Sequence, residues 1–133
     1  GSKREYFEMR DRAILVGSDD YANRFLDHWD KTGYTNRDLL GIVSDNKENL
    51  RSIIDRPVLG HYEDLEKLID NFRIDTVIFV PGTLSIALDH LSSRWGKPDL
   101  QICMVPLSFG EDVKKNKKLK SWSGTLVDIS TNS

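Results

Sequence analysis

Arg12-Ala13-Ile14-Leu15-Val16-Gly17-Ser18-Asp19-Asp20-Tyr21-Ala22 opens a part of this 133-residue chain in which three structural signals follow one another without a gap. Arg12 to Val16 is a short apolar run of the kind that forms a buried strand. It passes directly into Gly17-Ser18-Asp19-Asp20, a turn made of residues that break strands and cap helices. Beyond it, Ala22, Phe25, Leu26 and Trp29 recur at i, i+3, i+4 and i+7, which predicts one apolar helix face, and Gly33 marks the stop. Strand, tight turn and amphipathic helix in succession begin a βαβ unit.

The same alternation continues outward. Leu39 to Val43 reads as a second strand, closed by Ser44, Asp45 and Asn46, and Pro57 to Leu59 as a short third one ended by Gly60. A second helix carries Leu65, Leu68, Ile69 and Phe72 on one face, with Glu63 and Asp64 in the first turn, where carboxylates favour the positive end of the helix dipole. Thr76 to Val80 is apolar at consecutive positions, as suits the centre of a parallel sheet covered on both faces. Pro81-Gly82-Thr83 breaks it. A third helix carries Leu84, Ala87, Leu88, Leu91 and Trp95 and ends at Gly96 and Pro98; Ile102 to Val105 is a further buried strand, and Leu126 to Ile129 reads as one more. Strands joined by helices imply right-handed crossovers. The expected fold class is α/β, a doubly wound parallel sheet in three α/β/α layers.

Length and composition agree with one domain. Hydrophobic residues make up 38% of the chain and charged residues 30%, an ordinary globular balance, and the net charge of −2 gives no general attraction to nucleic acid. The longest apolar runs are far short of the roughly 20 residues that span a membrane. Gly1-Ser2 has the look of a cloning remnant, residues 3–11 read as a lead-in of juxtamembrane character, and residues 12–133 as the single domain. A remnant followed directly by Lys3 and Arg4 leads us to expect a longer parent protein.

The turn carries the functional question. Dinucleotide-binding proteins place G-x-G-x-x-G/A here, with the pyrophosphate at the helix N-terminus. Gly17 matches the tight-turn glycine, and Ala22 the small residue that lets helix and strand pack closely. Asp19 replaces the second glycine, which admits a phosphate against the backbone. Two like charges about 4 Å apart repel by about 1 kcal/mol in water and by several times that in a partly dry site. Asp19 or Asp20 can instead accept the N–H bonds that a phosphate would take. The expectation is an anion site occupied by the chain's own carboxylate; the plainer alternative is a strand–turn–helix with a good cap. Asp45, at the end of the second strand, stands where an acidic residue grips a ribose hydroxyl, though further along than the usual spacing of roughly 20 residues. An Asp-Asn turn explains it equally well. Ligands of open α/β sheets bind beyond the strands' carboxyl ends, at the switch point, so the candidate lining is Gly17, Ser18, Asp19, Asp45, Pro81, Gly82 and Thr83. Thr83 also reads as the cap of the third helix.

Four phrases together resemble a known module: Arg12-Ala13-Ile14-Leu15-Val16-Gly17-Ser18; Leu40-Gly41-Ile42-Val43-Ser44-Asp45; Pro57-Val58-Leu59-Gly60-His61-Tyr62-Glu63-Asp64-Leu65-Glu66; and Ile74-Asp75-Thr76-Val77-Ile78-Phe79-Val80. They resemble the Rossmann-like, CoA-binding-like cytosolic module of bacterial polyprenyl glycosylphosphotransferases, membrane enzymes that begin capsule and exopolysaccharide synthesis. A similar module precedes the catalytic domain of membrane nucleoside-diphosphate-sugar dehydratases and epimerases. The resemblance implies a location on the cytoplasmic side of the inner membrane. It also implies downstream membrane and catalytic domains in the parent chain that hold the catalytic carboxylates. Asp19 departs from relatives with a more complete glycine turn.

Other signals are sparse. Lys114, Lys115, Lys117, Lys118 and Lys120, followed by Trp122, form either a lipid-facing patch, at about 1 kcal/mol per lysine near anionic lipid, or a solvated face. His28, His61 and His90 lack metal-ligand spacing, so no metal is expected; His61 is placed at the start of the second helix. Cys103, the single cysteine, reads as a small core hydrophobe. Tyr6, Tyr21, Tyr34 and Tyr62 are followed four residues on by Arg10, Phe25, Asp38 and Glu66, never by the lysine of a short-chain dehydrogenase, and no P-loop or Gly-x-Ser-x-Gly elbow occurs. No catalytic residue is assigned, and the fragment alone is expected to catalyse nothing. Three functions follow: a regulatory or assembly module of a sugar-phosphate transferase that senses a nucleotide or nucleotide sugar or makes homodimer contacts; the NAD-binding half of a nucleoside-diphosphate-sugar dehydratase or dehydrogenase; or an interaction module with a dead pocket.

Overall fold

The computed structural model describes residues 11–17, 20–32, 37–44, 56–94, 96–105 and 126–129. Its centre is strand β1 (Asp11–Val16), which leads into helix α1 (Asp20–Thr32). Strands β2 (Arg37–Val43) and β3 (Val58–Gly60) follow, then a 3-10 turn (Tyr62–Asp64), α2 (Leu65–Phe72) and β4 (Thr76–Phe79). Helix α3 (Leu84–Leu91), a second 3-10 turn (Ser92–Arg94), β5 (Gln101–Met104) and β6 (Val127–Asp128) complete the described order. The strands lie in the order β3-β2-β1-β4-β5-β6. Pairing is parallel from β3 through β5 and antiparallel between β5 and β6. The expected parallel sheet therefore holds for five strands and is corrected at the sixth. The lysine-rich stretch before β6 has no apolar helical stripe to mark a crossover.

Two-sided burial explains the continuous apolar runs. Successive side chains of a strand point to opposite faces, and here both faces are covered. Ala13 and Leu15 face α1, packing with Phe25, Leu26, Trp29, Ile78 and Val80. Ile14 and Val16 face α2 and α3, packing with Leu65, Leu68, Ile69, Val77, Phe79 and Leu91. Each large side chain so buried contributes about 1.5–3 kcal/mol of transfer free energy. The rings of Phe25 and Trp29 meet with centroids 5.7 Å apart in a tilted arrangement. A register shift pairs Ala13 with Leu39 but Ile14 with Gly41, so Leu39 and Ile42 share the α1 face although three positions apart.

Polar contacts fix the helix ends. The His61 N–H donates to Asp64 Oδ2 at 3.0 Å, so His61 caps the 3-10 turn that leads into α2. At the other end of α2, Arg73 adopts a left-handed conformation (φ 53°) and Arg12 Nε donates to the Phe72 carbonyl at 2.8 Å, tying the helix to β1. Arg94 Nη2 donates to both Asp70 oxygens at 2.8 Å, and Glu66 Oε1 accepts from Ser93 Oγ at 2.7 Å and from Arg94 Nε at 3.2 Å. These last contacts are exposed and contribute little individually.

The α3 stripe needs correction. Leu91 is fully buried, but Leu84 and Leu88, on the same helical face, are 37% and 54% exposed. Equal spacing does not guarantee equal cover: the face turns inward only at its C-terminal end, beside α2. Trp95 lies outside the described residues.

Two core groups have measurable consequences. Thr76 is fully buried, and its hydroxyl has no hydrogen-bond partner among the described residues. Cys103 is buried, and desolvation pushes its thiol up to about 11, with Arg37 opposing the shift. Thr76→Val, nearly isosteric, is expected to leave stability unchanged or raise it by up to about 1 kcal/mol, because it removes a buried unpaired hydroxyl; urea unfolding measures this. An unfolded cysteine ionises near pH 8.5, so Cys103 stabilises the fold fully below that pH, and the contribution is lost as pH rises toward the folded value. Wild type should lose roughly 2 kcal/mol relative to Cys103→Ala between about pH 9 and 11, read from urea melts at stepped pH.

Candidate functional site

The strand order places a crevice between β1 and β4. The chain leaves β1 through α1 on one face of the sheet and leaves β4 through α3 on the other, which makes this the switch point at which open α/β sheets form a crevice beyond the strands' carboxyl ends. Gly17 lies on one side of this switch point, and Pro81-Gly82-Thr83 on the other.

Gly17 is held between β2 and β4. Its N–H donates to the Val43 carbonyl of β2 at 2.9 Å, and on the β4 side the Val80 N–H donates to the Val16 carbonyl at 3.2 Å. Its φ is +130°, a conformation that side chains rarely adopt, and a Cβ there would stand 2.3 Å from Val80 Cγ2. The glycine demanded by the turn is thus demanded a second time by the valine beneath it. Ala22, the matching small residue, is fully buried against the sheet.

Across the crevice, Gly82 has φ +96° and an added Cβ would meet open space, so only the dihedral constrains it. Thr83 is 8% exposed, and its hydroxyl donates to the Val80 carbonyl at 2.7 Å, beside the Thr83 N–H at 3.2 Å. It occupies the N-cap position of α3 but makes no side-chain cap, which corrects that reading. The Val80 carbonyl at the strand end draws both of its donors. Ser44, at the end of β2, is 1% exposed, and its N–H donates to the Gly60 carbonyl at 3.1 Å.

The structure brings Gly17, Pro81, Gly82 and Thr83 to the same edge. Ser18, Asp19 and Asp45 lie outside the described residues. Ser44 and Val80 join the site unforeseen: Ser44 was legible only as a strand terminator, and Val80 only as core. Ser44 and Thr83 are both buried at this edge, and the buried thiol of Cys103 is held in its neutral form at ordinary pH. Among the described residues no group of three or more His, Cys, Asp or Glu side chains could hold a metal ion, and no helix is long and apolar enough to cross a membrane.

No family model and no curated protein matches the sequence. Solved structures do match. A UDP-D-quinovosamine 4-dehydrogenase from Vibrio fischeri aligns with a TM-score of 0.60 at 15% identity, over 91% of this chain and 94% of that one. RSP, a Rex-family repressor, aligns at 0.59 with 17% identity, over 87% of this chain and 62% of that one. RSP in complex with β-NADH aligns at 0.57 with 17% identity, over 87% and 63%. This chain therefore spans less than two thirds of the RSP chains. At these identities the likeness establishes the fold: the chain is a Rossmann-like α/β domain.

Gly17→Ala should cost about 2–4 kcal/mol in urea unfolding, since it combines dihedral strain with the Val80 clash. Adding Val80→Ala should relieve the clash and leave the dihedral cost, so the two changes should couple in a double-mutant cycle. Gly82→Ala, with open space around it, should cost only about 1 kcal/mol.

Proposed function

We propose that this chain is a non-catalytic nucleotide-binding module whose site is the crevice between Gly17 and Pro81-Gly82-Thr83. The observation that carries this reading is the order β3-β2-β1-β4-β5, with the glycine turn packed on Val80 at the switch point. In such sheets that edge is where nucleotides bind. A structural neighbour with β-NADH bound supports the ligand class. The resemblance of Pro57 to Val80 to the cytosolic module of polyprenyl glycosylphosphotransferases supports a regulatory or assembly role on the cytoplasmic side of the inner membrane. There it would sense a nucleotide or nucleotide sugar for downstream catalytic domains or make homodimer contacts, with the lysine run from Lys114 to Lys120 nearest the lipid.

A second reading is favoured by one comparison. The UDP-D-quinovosamine 4-dehydrogenase matches over nearly its whole length, which supports the NAD-binding half of a nucleoside-diphosphate-sugar enzyme. The sequence that follows Ser133 in the parent gene separates the two. A membrane helix and then a phosphosugar transferase domain favours the first, and a second glycine-rich turn with a Tyr-Lys pair favours the second.

Asp19 gives the binding test. Calorimetry with NADH, CoA and UDP-N-acetylglucosamine should detect weak binding of at least one by the wild-type chain. Asp19→Gly should tighten that binding about fivefold or more, since a carboxylate leaves the phosphate position. No binding by either protein, or weaker binding after the substitution, contradicts the proposal.

A further inference from the structure

We infer that β6 is a releasable strap: it detaches from the sheet edge without unfolding of the remaining strands and, in detaching, uncovers β5. This goes beyond the nucleotide reading and does not depend on it. Strand β6 is two residues long, both of them exposed, and it is the one antiparallel strand among the described elements. Elements that bury little apolar surface and expose their backbone bonds open at low free energy. Beside it, the middle of β5 is core: Ile102 is fully buried and Cys103 is buried with it, as is Val105 just past the strand. The boundary between the stable sheet and its weak edge therefore falls between β5 and β6.

Three backbone pairings hold the strap, and the flanking Leu126 and Ile129, half-buried, each pack on one of the two core clusters. Met104 pairs with Val127 and Cys103 with Asp128, and the Ile129 N–H donates to the Ile102 carbonyl at 2.8 Å. A side-chain latch supplements them. Gln101 Nε2 donates to Asp128 Oδ2 at 3.0 Å, while Gln101 Oε1 accepts from Arg37 Nη2 at 3.1 Å. Arg37 Nε in turn donates to Asp11 Oδ2 at 3.3 Å. The chain Asp11–Arg37–Gln101–Asp128 thus ties the edge strand to β1 and β2, and its two bonds fix the orientation of the Gln101 amide. Leu126 packs on the cluster that contains Cys103, and Asp128 pairs with Cys103. Release therefore strips two neighbours from the thiol and turns β5 into an edge strand with unpaired backbone groups.

Amide hydrogen exchange on the full chain tests this directly, because β5 has a reporter on each side. The Ile129 N–H reports the strap, and the Val105 N–H, which donates to the Phe79 carbonyl at 2.8 Å, reports the inner ladder. The expected result is much faster exchange at Ile129 than at Val105, with weak urea dependence at Ile129 alone. Asp128→Ala should speed exchange at Ile129 and thiol labelling of Cys103 about fivefold, the size of one ordinary hydrogen bond, and leave Val105 unchanged. Equal exchange at the two amides with equal urea dependence in the wild-type chain overturns the inference, as does an Asp128→Ala chain whose Ile129 exchange and Cys103 labelling are unaltered.

Discussion

The seating of Gly17 on Val80 is the contact from which the rest of the domain takes its geometry. It lies where β1 ends and where the neighbouring strand β4 reaches the same height, and it leaves no room for a side chain. From this point the chain departs in two directions. One path runs through α1 to β2 on one face, and the other through α3 to β5 on the opposite face. Helices that diverge to opposite faces in this way make the switch point at which open α/β sheets carry their crevice.

The layers on either side are bound by ordinary close packing. Ala13 and Leu15 meet one helix layer, Ile14 and Val16 the other, and all four are fully buried. Among the described residues the buried polar ones are Ser44, Thr76 and Thr83, and the hydroxyl of Thr83 serves the carbonyl of Val80. The groups at this edge of the sheet are consequently backbone amides and small buried hydroxyls.

Much of this was legible in the residues. The apolar run into Gly17, the helical stripe from Ala22 to Trp29 and the doubly apolar Thr76 to Val80 each report a strong local period, and each forms the expected element. Where cover rather than period decides, the sequence was silent. Leu84 and Leu88 have the spacing of core residues yet lie exposed, because only the end of α3 rests on its neighbour. The direction of β6 depends on how the chain returns to the sheet, which no period encodes. Thr83 has the identity and place of a cap, but its hydroxyl is turned to the Val80 carbonyl, to which it donates, and its oxygen accepts from no helix N–H. Ser44 looked like punctuation and is instead buried at the crevice edge beside the β2–β3 ladder. The shift that passes over Leu40 could not be seen without the partner strand.

The turn itself gives the fold its functional tension. A glycine required by packing and a small residue required by helix contact stand at two positions of the glycine-turn pattern, and Asp19 stands in the sequence where that pattern has its second glycine. Backbone amide shifts of the isotopically labelled chain during titration with NADH examine this edge most directly. Perturbations gathered at Gly17, Ser44, Gly82 and Thr83, and larger in Asp19→Gly, are the predicted result. Shifts confined to the opposite end of the strands, around Asp11, Arg37 and Gln101, or a spectrum unmoved by NADH in both proteins, would contradict the account.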